Sequence, residues 1–163
     1  MTTSAQDPGT PRWVVRPVAE ADFPVWRGLF AQYCAFYQVD LTEEHAELVW
    51  SWIHDPAHEV EGLVVTDQAG TPVGLAHYRA FARPLRGAVG GFLDDLFVDQ
   101  AARGSGAVDA LFERLRQLAA ERGWNTVRWI TSETNYRARS KYDRVATRTP
   151  FLTYDMAPAE PEN

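Results

Sequence analysis

Apolar and polar residues alternate along this chain with two different spacings, which predict helices and strands in a definite order. A short apolar segment at Trp13–Pro17 predicts a first strand, and Asp22 is placed to cap the helix after it. Large apolar residues then recur at intervals of three and four, which is typical of an amphipathic helix with a wide aromatic stripe. The stripe consists of Trp26, Leu29, Phe30, Tyr33, Phe36 and Tyr37. Thr42 is placed to cap a second helix that ends near Asp55.

The middle of the chain has the pattern of extended structure. Two apolar segments, Gly62–Thr66 and Val73–Tyr78, flank a run of turn-forming residues and predict an antiparallel hairpin. Residues 83–91 contain a proline and three glycines, so we expect a loop there. A strand at Phe92–Val98 follows this loop.

The last third predicts helices and strands in alternation. A helix that begins at Ala107 is expected to end at Gly123, because glycine suits the left-handed position after a helix. A strand at Thr126–Thr131, a short helix at Asn135–Ala146 and a closing strand at Phe151–Tyr154 complete the chain. The order β-α-α-β-β-β-α-β-α-β predicts an α/β fold, with a mixed sheet and helices on both of its faces.

Composition narrows the classes of protein that this chain can represent. The 163 residues, 45% of them hydrophobic, suit one domain at residues 12–157 between polar tails at 1–11 and 158–163. A net charge of −6 argues against a general nucleic-acid binder. The single cysteine, Cys34, excludes an internal disulfide, and no metal site is implied. No segment has the length of a membrane span or the pattern of a signal peptide, so we expect a cytoplasmic protein.

The junction between Leu93–Val98 and the helix at Ala107 carries the most specific chemistry. An apolar strand ends there, and a short loop with an arginine and two glycines leads directly into the helix. Glycine lets backbone N–H groups approach an anion, and a helix N-terminus adds unpaired N–H donors. The junction therefore suits a phosphate group, although a simple turn explains the same residues equally well.

Three motifs and the order of elements together resemble the GNAT superfamily of acetyl-CoA-dependent N-acetyltransferases. Residues 103–108, Arg-Gly-Ser-Gly-Ala-Val, are similar to the family's cofactor loop Arg/Gln-x-x-Gly-x-Gly/Ala, with valine at the last position. Leu93–Val98 is similar to the family's Leu-Glu-Asp-Leu-Phe-Val strand, and residues 135–143 to its Asn-x-x-Ala-Arg-x-x-Tyr-Asp helix. The resemblance covers about Trp13–Met156, and the most similar branch is the diamine and histone-type acetyltransferases.

This resemblance implies a fold and a binding site. The fold is α/β, with a mixed, mostly antiparallel central sheet of about six to seven strands flanked by helices on both faces. Acetyl-CoA is implied as co-substrate, with its pantetheine arm along the backbone of one strand and its pyrophosphate in the glycine loop. The implied cofactor-binding residues are Leu96, Phe97, Val98, Arg103, Gly104, Ser105, Gly106, Ala107, Val108 and Asn135.

The resemblance also implies catalytic roles. Tyr142 would protonate the leaving thiolate, which suits a phenol with a pKa near 10; its alternative role is core packing. Asp94 matches the family's glutamate and would bind the substrate ammonium or accept its proton, through a water because aspartate is shorter. Strand alternation is expected to place Asp94 and Asp95 on opposite faces, so that only one of them reaches the cleft.

Three further side chains are candidates for the acceptor site. Tyr33 and Tyr37 lie four residues apart on the first predicted helix and offer ring faces to a cationic amine, although core packing explains them as well. His77 lies on a strand next to that of Asp94, where it either lines the substrate pocket or is a partly buried structural histidine.

The resulting hypothesis is transfer of an acetyl group from acetyl-CoA to a primary amine, which attacks directly in a ternary complex. The amine is expected to be a small polyamine-like molecule, an aminoglycoside, an amino acid or a protein lysine, with no nucleic acid or membrane partner. A homodimer is possible through the last strand. The two alternatives are a non-catalytic acyl-CoA-binding regulatory module on the same fold and a protein-interaction domain without a cofactor.

Overall fold

The computed structural model describes residues 12–160, which form two compact units, one ending at Trp129 and the other beginning at Ile130. The predicted tail at residues 1–11 lies outside this range, as does the end of the predicted tail at 158–163. The first unit contains β1 (Val14–Pro17), α1 (Phe23–Phe36), α2 (Glu43–His54), β2 (Glu61–Thr66), β3 (Pro72–Arg83), β4 (Ala88–Val98), α3 (Ala107–Arg122) and β5 (Val127–Arg128). The second unit contains α4 (Tyr136–Val145).

The strands form one five-stranded sheet in the order β1-β2-β3-β4-β5. Every neighbouring pair is antiparallel except β4 and β5, which run parallel. This confirms the predicted α/β class and the mixed, mostly antiparallel sheet. The sheet is smaller than expected, because the predicted strand at 126–131 is reduced to Val127–Arg128 and residues 151–154 form no strand.

The two faces of the sheet are covered by different helices. On one face α1 and α2 enclose a core that includes Trp26, Phe30 and Val49 of the helices together with Leu75 and Phe97 of the sheet. On the other face α3 buries its apolar stripe, and Arg122 near its end donates both terminal nitrogens to Glu61 of β2. Helices on both faces were predicted, since each amphipathic stripe needs an apolar surface to cover.

The helix ends follow the predicted capping residues in two of three cases. The Thr42 hydroxyl accepts a hydrogen bond from the backbone N–H of His45 at 3.1 Å, and Gly123 ends α3 with a φ of 67°. Asp22 occupies the N-cap position of α1 but makes no capping bond. Its carboxylate instead accepts bonds from the Arg16 guanidinium and from the backbone N–H of Ala19, which hold the pKa of Asp22 below its ordinary value.

The loop predicted at residues 83–91 is wrong. β3 extends to Arg83 and β4 begins at Ala88, so that only a short turn separates them. The glycines suggested a loop, but two of them, Gly90 and Gly91, are strand residues, and Gly91 leaves room for a ring. A Cβ atom at Gly91 would lie 2.4 Å from the indole of Trp124. This packing partner is more than 30 residues away along the chain, so the local pattern could not indicate it.

Gly74 provides a test of the sheet packing. A Cβ atom there would lie 2.7 Å from the backbone oxygen of Phe97 and 2.8 Å from the side chain of Val98. We expect Gly74→Ala to lower the free energy of unfolding by about 1–3 kcal/mol, because a strand backbone cannot move aside cheaply. The matched control is Gly28→Ala in α1, where an added Cβ atom would meet no other atom within 4 Å. This control should raise the free energy of unfolding by about 0.5–1 kcal/mol. Urea unfolding of both variants checks this; equal stability for Gly74→Ala and wild type would contradict it.

None of the helices within residues 12–160 has both the length and the apolar character needed to cross a membrane.

Candidate active site

A bulge in β4 organises the candidate site. His77 of β3 pairs with Asp95 of β4, but the next residue of β3, Tyr78, pairs with Leu93. Asp94 is therefore the extra residue of the bulge. Because alternation restarts after an extra residue, two consecutive side chains of the strand can turn to the same face.

Asp94 and Asp95 lie on one face, so the prediction of opposite faces is wrong. Asp95 bonds to His77 and Asp94 to Arg79, and these partners are two residues apart on β3, where side chains share a face. The two carboxylates are near enough that the charge of Asp95 contributes to raising the pKa of Asp94. The bulge thus places a pair of carboxylates side by side on the face covered by α1.

A buried chain of hydrogen bonds ends on Asp95. The indole Nε1 of Trp26 donates to His77 Nε2 at 2.9 Å, and His77 Nδ1 lies 2.8 Å from Asp95 Oδ2. An indole nitrogen can only donate, so Nε2 carries no proton and Nδ1–H is the donor to the carboxylate. Trp26 is fully buried and His77 is 1% exposed. Both ring nitrogens of His77 are thereby engaged, which leaves neither for direct contact with a substrate.

Asp94 is held by an arginine. Arg79 Nε donates to both of its oxygens, at 3.1 and 3.3 Å, and the guanidinium lies 4.9 Å from the ring of Phe92. Burial raises the pKa of Asp94 above its ordinary value, while the charge of Arg79 opposes that rise. A carboxyl group with a raised pKa binds a proton more readily than an exposed aspartate, which suits a proton acceptor.

Aromatic rings of α1 cover this region. The Phe30 and His77 rings pack edge to face with their centroids 5.0 Å apart. The Tyr33 and Phe97 rings do the same at 6.3 Å. Tyr33 is half-buried and contacts Tyr37 at 5.1 Å, whereas Tyr37 is 43% exposed. Tyr33 therefore lies at the boundary between the core and the surface, and Tyr37 lies on the surface.

The glycine loop before α3 has the backbone that its sequence demands. Gly104 and Gly106 have φ angles of 73° and 95°, values that only glycine adopts freely. Arg103 Nε donates to the backbone oxygen of Val98 at 3.2 Å, and Trp13 Nε1 donates to that of Ser105 at 2.8 Å. The first N–H groups of α3, beginning at Ala107, have no acceptor within the helix and can bind an anion.

The remaining loop residues differ in accessibility. Ala107 is buried at the start of α3, Val108 is half-buried, and Asp109 is exposed. The loop thus combines a cation, two glycines in the left-handed conformation and a helix N-terminus.

The β4 edge beside this loop is open within the sheet. β5 pairs with β4 only at Gly91 and Phe92, so among residues 12–160 no strand pairs with the segment from Leu93 to Val98 on that side of the sheet. Leu96, Phe97 and Val98, the residues predicted to bind the pantetheine arm, lie in this segment. An unpaired edge offers backbone N–H and C=O groups to any extended ligand, in the manner of an added strand.

The two predicted site residues of the second unit share α4. Asn135 occupies the N-cap position, where its side chain donates to Thr131 Oγ1 at 3.4 Å. Tyr142 lies seven residues, about two turns, further along and is half-buried. The spacing places both on one side of the helix.

A cavity of about 530 Å³ lies elsewhere in the first unit, at the N-terminal half of α1 and the β2–β3 turn. It is lined by residues that include Trp13, Gly28, Asp67, Asp99 and Ser105, and not by Asp94, Asp95 or His77. It therefore contacts the glycine loop but not the carboxylate pair.

Sequence reasoning missed Trp26 and Arg79 as site residues. Trp26 had only the pattern of a core residue, since its bonding partner lies 51 residues away. Arg79 stands two positions after His77, so alternation alone was sufficient to place it on the same face.

Comparison with known proteins identifies the family of this chain. The sequence model of the Acetyltransferase (GNAT) family matches residues 26–146. The D-amino-acid N-acetyltransferase HPA3 of Saccharomyces cerevisiae is 28% identical over 144 residues, which cover 88% of this chain and 89% of that protein.

Solved structures share the fold. The aminoglycoside N-acetyltransferase AAC(6')-Iy, in complex with CoA, superposes with a TM-score of 0.78 at 15% identity, covering 94% of this chain and 99% of that one. A ribosomal-protein-alanine N-acetyltransferase from Brucella melitensis biovar Abortus 2308 superposes with a TM-score of 0.74 at 20% identity, covering 89% and 98%. At these identities the likeness establishes the fold.

Proposed function

This chain belongs to the GNAT acetyltransferase family and is an acetyl-CoA-dependent N-acetyltransferase, and from that premise we propose how it acts. A primary amine and acetyl-CoA bind together, and the amine attacks the thioester carbonyl directly. The observation that carries the proposal is the β4 bulge, which sets two carboxylates beside the open end of a strand that leads into a glycine loop. Holding both reactants in one geometry supplies most of the acceleration.

The residues at the open edge fit the co-substrate. In this proposal the backbone of Leu96, Phe97 and Val98 hydrogen-bonds the pantetheine arm, and residues 103–108 hold the pyrophosphate. Support comes from the unpaired strand edge and from the left-handed Gly104 and Gly106, which bring backbone N–H groups close to an anion. Asn135 is assigned to the amide portion of the same arm.

Two residues are assigned to proton transfer, one to the attacking amine and one to the leaving thiolate. Asp94 binds the ammonium or accepts its proton, in keeping with the raised pKa of its carboxyl group. Tyr142 protonates the departing thiolate. His77 acts on the substrate only through Asp95, which it holds by the Nδ1–H bond.

The acceptor is proposed to be a primary amine of a small molecule, with a protein lysine as the second candidate. The relative from Saccharomyces cerevisiae is named for D-amino acids and a structural neighbour for aminoglycosides, both small amines. Tyr33 and Tyr37 are proposed to line the entrance for this amine. The exposed apolar side chains Phe151, Leu152 and Tyr154 support the further proposal of a homodimer.

A titration and an assay separate this function from its rivals. We expect acetyl-CoA to bind and to be consumed when a suitable amine from a panel is added. Arg103→Ala should weaken CoA binding by a modest factor, because the backbone donors remain. Binding without consumption for every amine would indicate a regulatory module instead. No binding at all would indicate an interaction domain, and unchanged amide chemical shifts at residues 103–108 on adding CoA would refute the placement of the pyrophosphate.

A further inference from the structure

Arg79 lies beside Asp94 in the candidate site, and most of its N–H donors make no hydrogen bond to the described residues. Its side chain lies on the same face of β3 as His77, rests on the Phe92 ring, and is 30% exposed. Its Nε–H is bonded to Asp94. Within residues 12–160, neither Nη1 nor Nη2 of this arginine has an acceptor at hydrogen-bond distance.

Other arginines of the chain behave differently when they meet a carboxylate. Arg16, Arg114 and Arg122 each donate both terminal nitrogens to one acidic partner, the two-pronged geometry that guanidinium prefers. Arg79 is oriented so that Asp94 binds its Nε–H, and its two terminal nitrogens, Nη1 and Nη2, remain available. A half-buried guanidinium with four unbonded N–H groups suits a carboxylate that arrives with a ligand.

Negative charge lies beside the terminal nitrogens of Arg79. Asp94 and Asp95 lie side by side across from Arg79 and His77, and Asp95 Oδ1 accepts no hydrogen bond from the described residues. The site therefore presents acceptors for an ammonium group directly beside donors for a carboxylate. A ligand that satisfies both must carry its two charges close together.

We propose that the acceptor of this acetyltransferase is an α-amino acid or a close analogue, with Arg79 Nη1 and Nη2 binding its carboxylate and Asp94 and Asp95 facing its amine. This inference rests on the proposed function and names its substrate class. A polyamine carries no anion for Arg79. The ammonium of a protein lysine lies at the end of its side chain, far from any carboxylate of its own. Only an amine with an adjacent carboxylate matches both halves of the site.

Paired substrates test the proposal. Initial rates are measured with saturating acetyl-CoA for leucine and leucinamide in both enantiomers, and for spermidine, from pH 7 to 10. The two compounds are compared at the alkaline end of this range, where both are largely free amines, because the amide has a more acidic ammonium group. For the preferred enantiomer we expect kcat/KM to favour leucine over leucinamide by about tenfold or more, the effect of a charge-assisted pair of hydrogen bonds. Spermidine should be the poorest acceptor.

Variants of Arg79 locate the source of this preference. Arg79→Gln should reduce the leucine-to-leucinamide ratio to near one, mainly through the KM for leucine, and Arg79→Lys should keep part of it because the charge remains. The ratio cancels any common effect of losing the partner of Asp94. Arg83→Gln is the matched control, since Arg83 lies four residues along the same strand but bonds to Asn125, and it should keep the wild-type ratio.

The outcomes separate the inference from the function on which it rests. A wild-type enzyme that prefers leucinamide or spermidine overturns the inference and leaves acetyl transfer intact, even if no Arg79 variant folds. A ratio unchanged in Arg79→Gln overturns the role of Arg79. Binding of acetyl-CoA without acetylation of any amine in the panel overturns the proposed function and the inference together.

Discussion

Replacing Asp94 by asparagine should lower kcat/KM by a factor of roughly 10²–10³, the usual contribution of a general base. It should also remove the acidic limb of the pH–rate profile. The carboxyl group accepts a proton only when ionised, so wild-type activity falls as the pH drops through the pKa of Asp94. Burial raises that pKa above its ordinary value, and the limb should therefore lie above the range of an exposed aspartate. The measurement is the pH dependence of kcat/KM with acetyl-CoA saturating.

Two further variants make this result specific. Glu113→Gln removes one negative charge from the exposed surface of α3 and should leave the profile unchanged. Asp95→Asn distinguishes the two carboxylates of the bulge. If Asp94→Asn retains the wild-type limb and Asp95→Asn loses it, the base is Asp95 and the bond from His77 positions it.

Replacing Tyr142 by phenylalanine should reduce kcat by about 10²-fold and leave CoA affinity unchanged. Phenylalanine keeps the ring of Tyr142, and in the proposed mechanism the hydroxyl acts when the thiolate departs. Steady-state kinetics and a calorimetric titration with CoA measure the two effects separately.

Tyr136→Phe is the control, because this tyrosine lies on the same helix and is 71% exposed. It should retain wild-type kcat. A Tyr142→Phe enzyme with undiminished turnover would assign Tyr142 to packing alone.

Local chemistry was readable from the sequence, and contacts between distant residues were not. Thr42 and Gly123 act at the helix ends as predicted, because capping depends on residues within a few positions of each other. The glycine loop at residues 103–107 was predictable for the same reason. Each of these features is determined by a few consecutive residues.

The bulge shows where sequence reasoning stops. Alternation treats every strand as regular, and one extra residue in β4 moved Asp94 to the face of Asp95. The loop predicted at 83–91 was wrong because Gly91 accommodates the distant ring of Trp124. The strand predicted at Phe151–Tyr154 was wrong because its apolar residues find no sheet partner and are exposed. In each case the deciding contact, or its absence, lies outside the window that a local pattern covers.

The unpaired edge of β4 links co-substrate binding to the solubility of the protein, because both depend on the same backbone groups. A strand edge with free backbone groups and apolar side chains is a template for pairing with another chain, and therefore a starting point for aggregation. A molecule bound along Leu96–Val98 uses the same backbone groups, so it competes directly with that self-association. By mass action it also favours the folded chain over the unfolded one. A co-substrate bound along this edge would then slow aggregation of the protein as well as take part in its reaction.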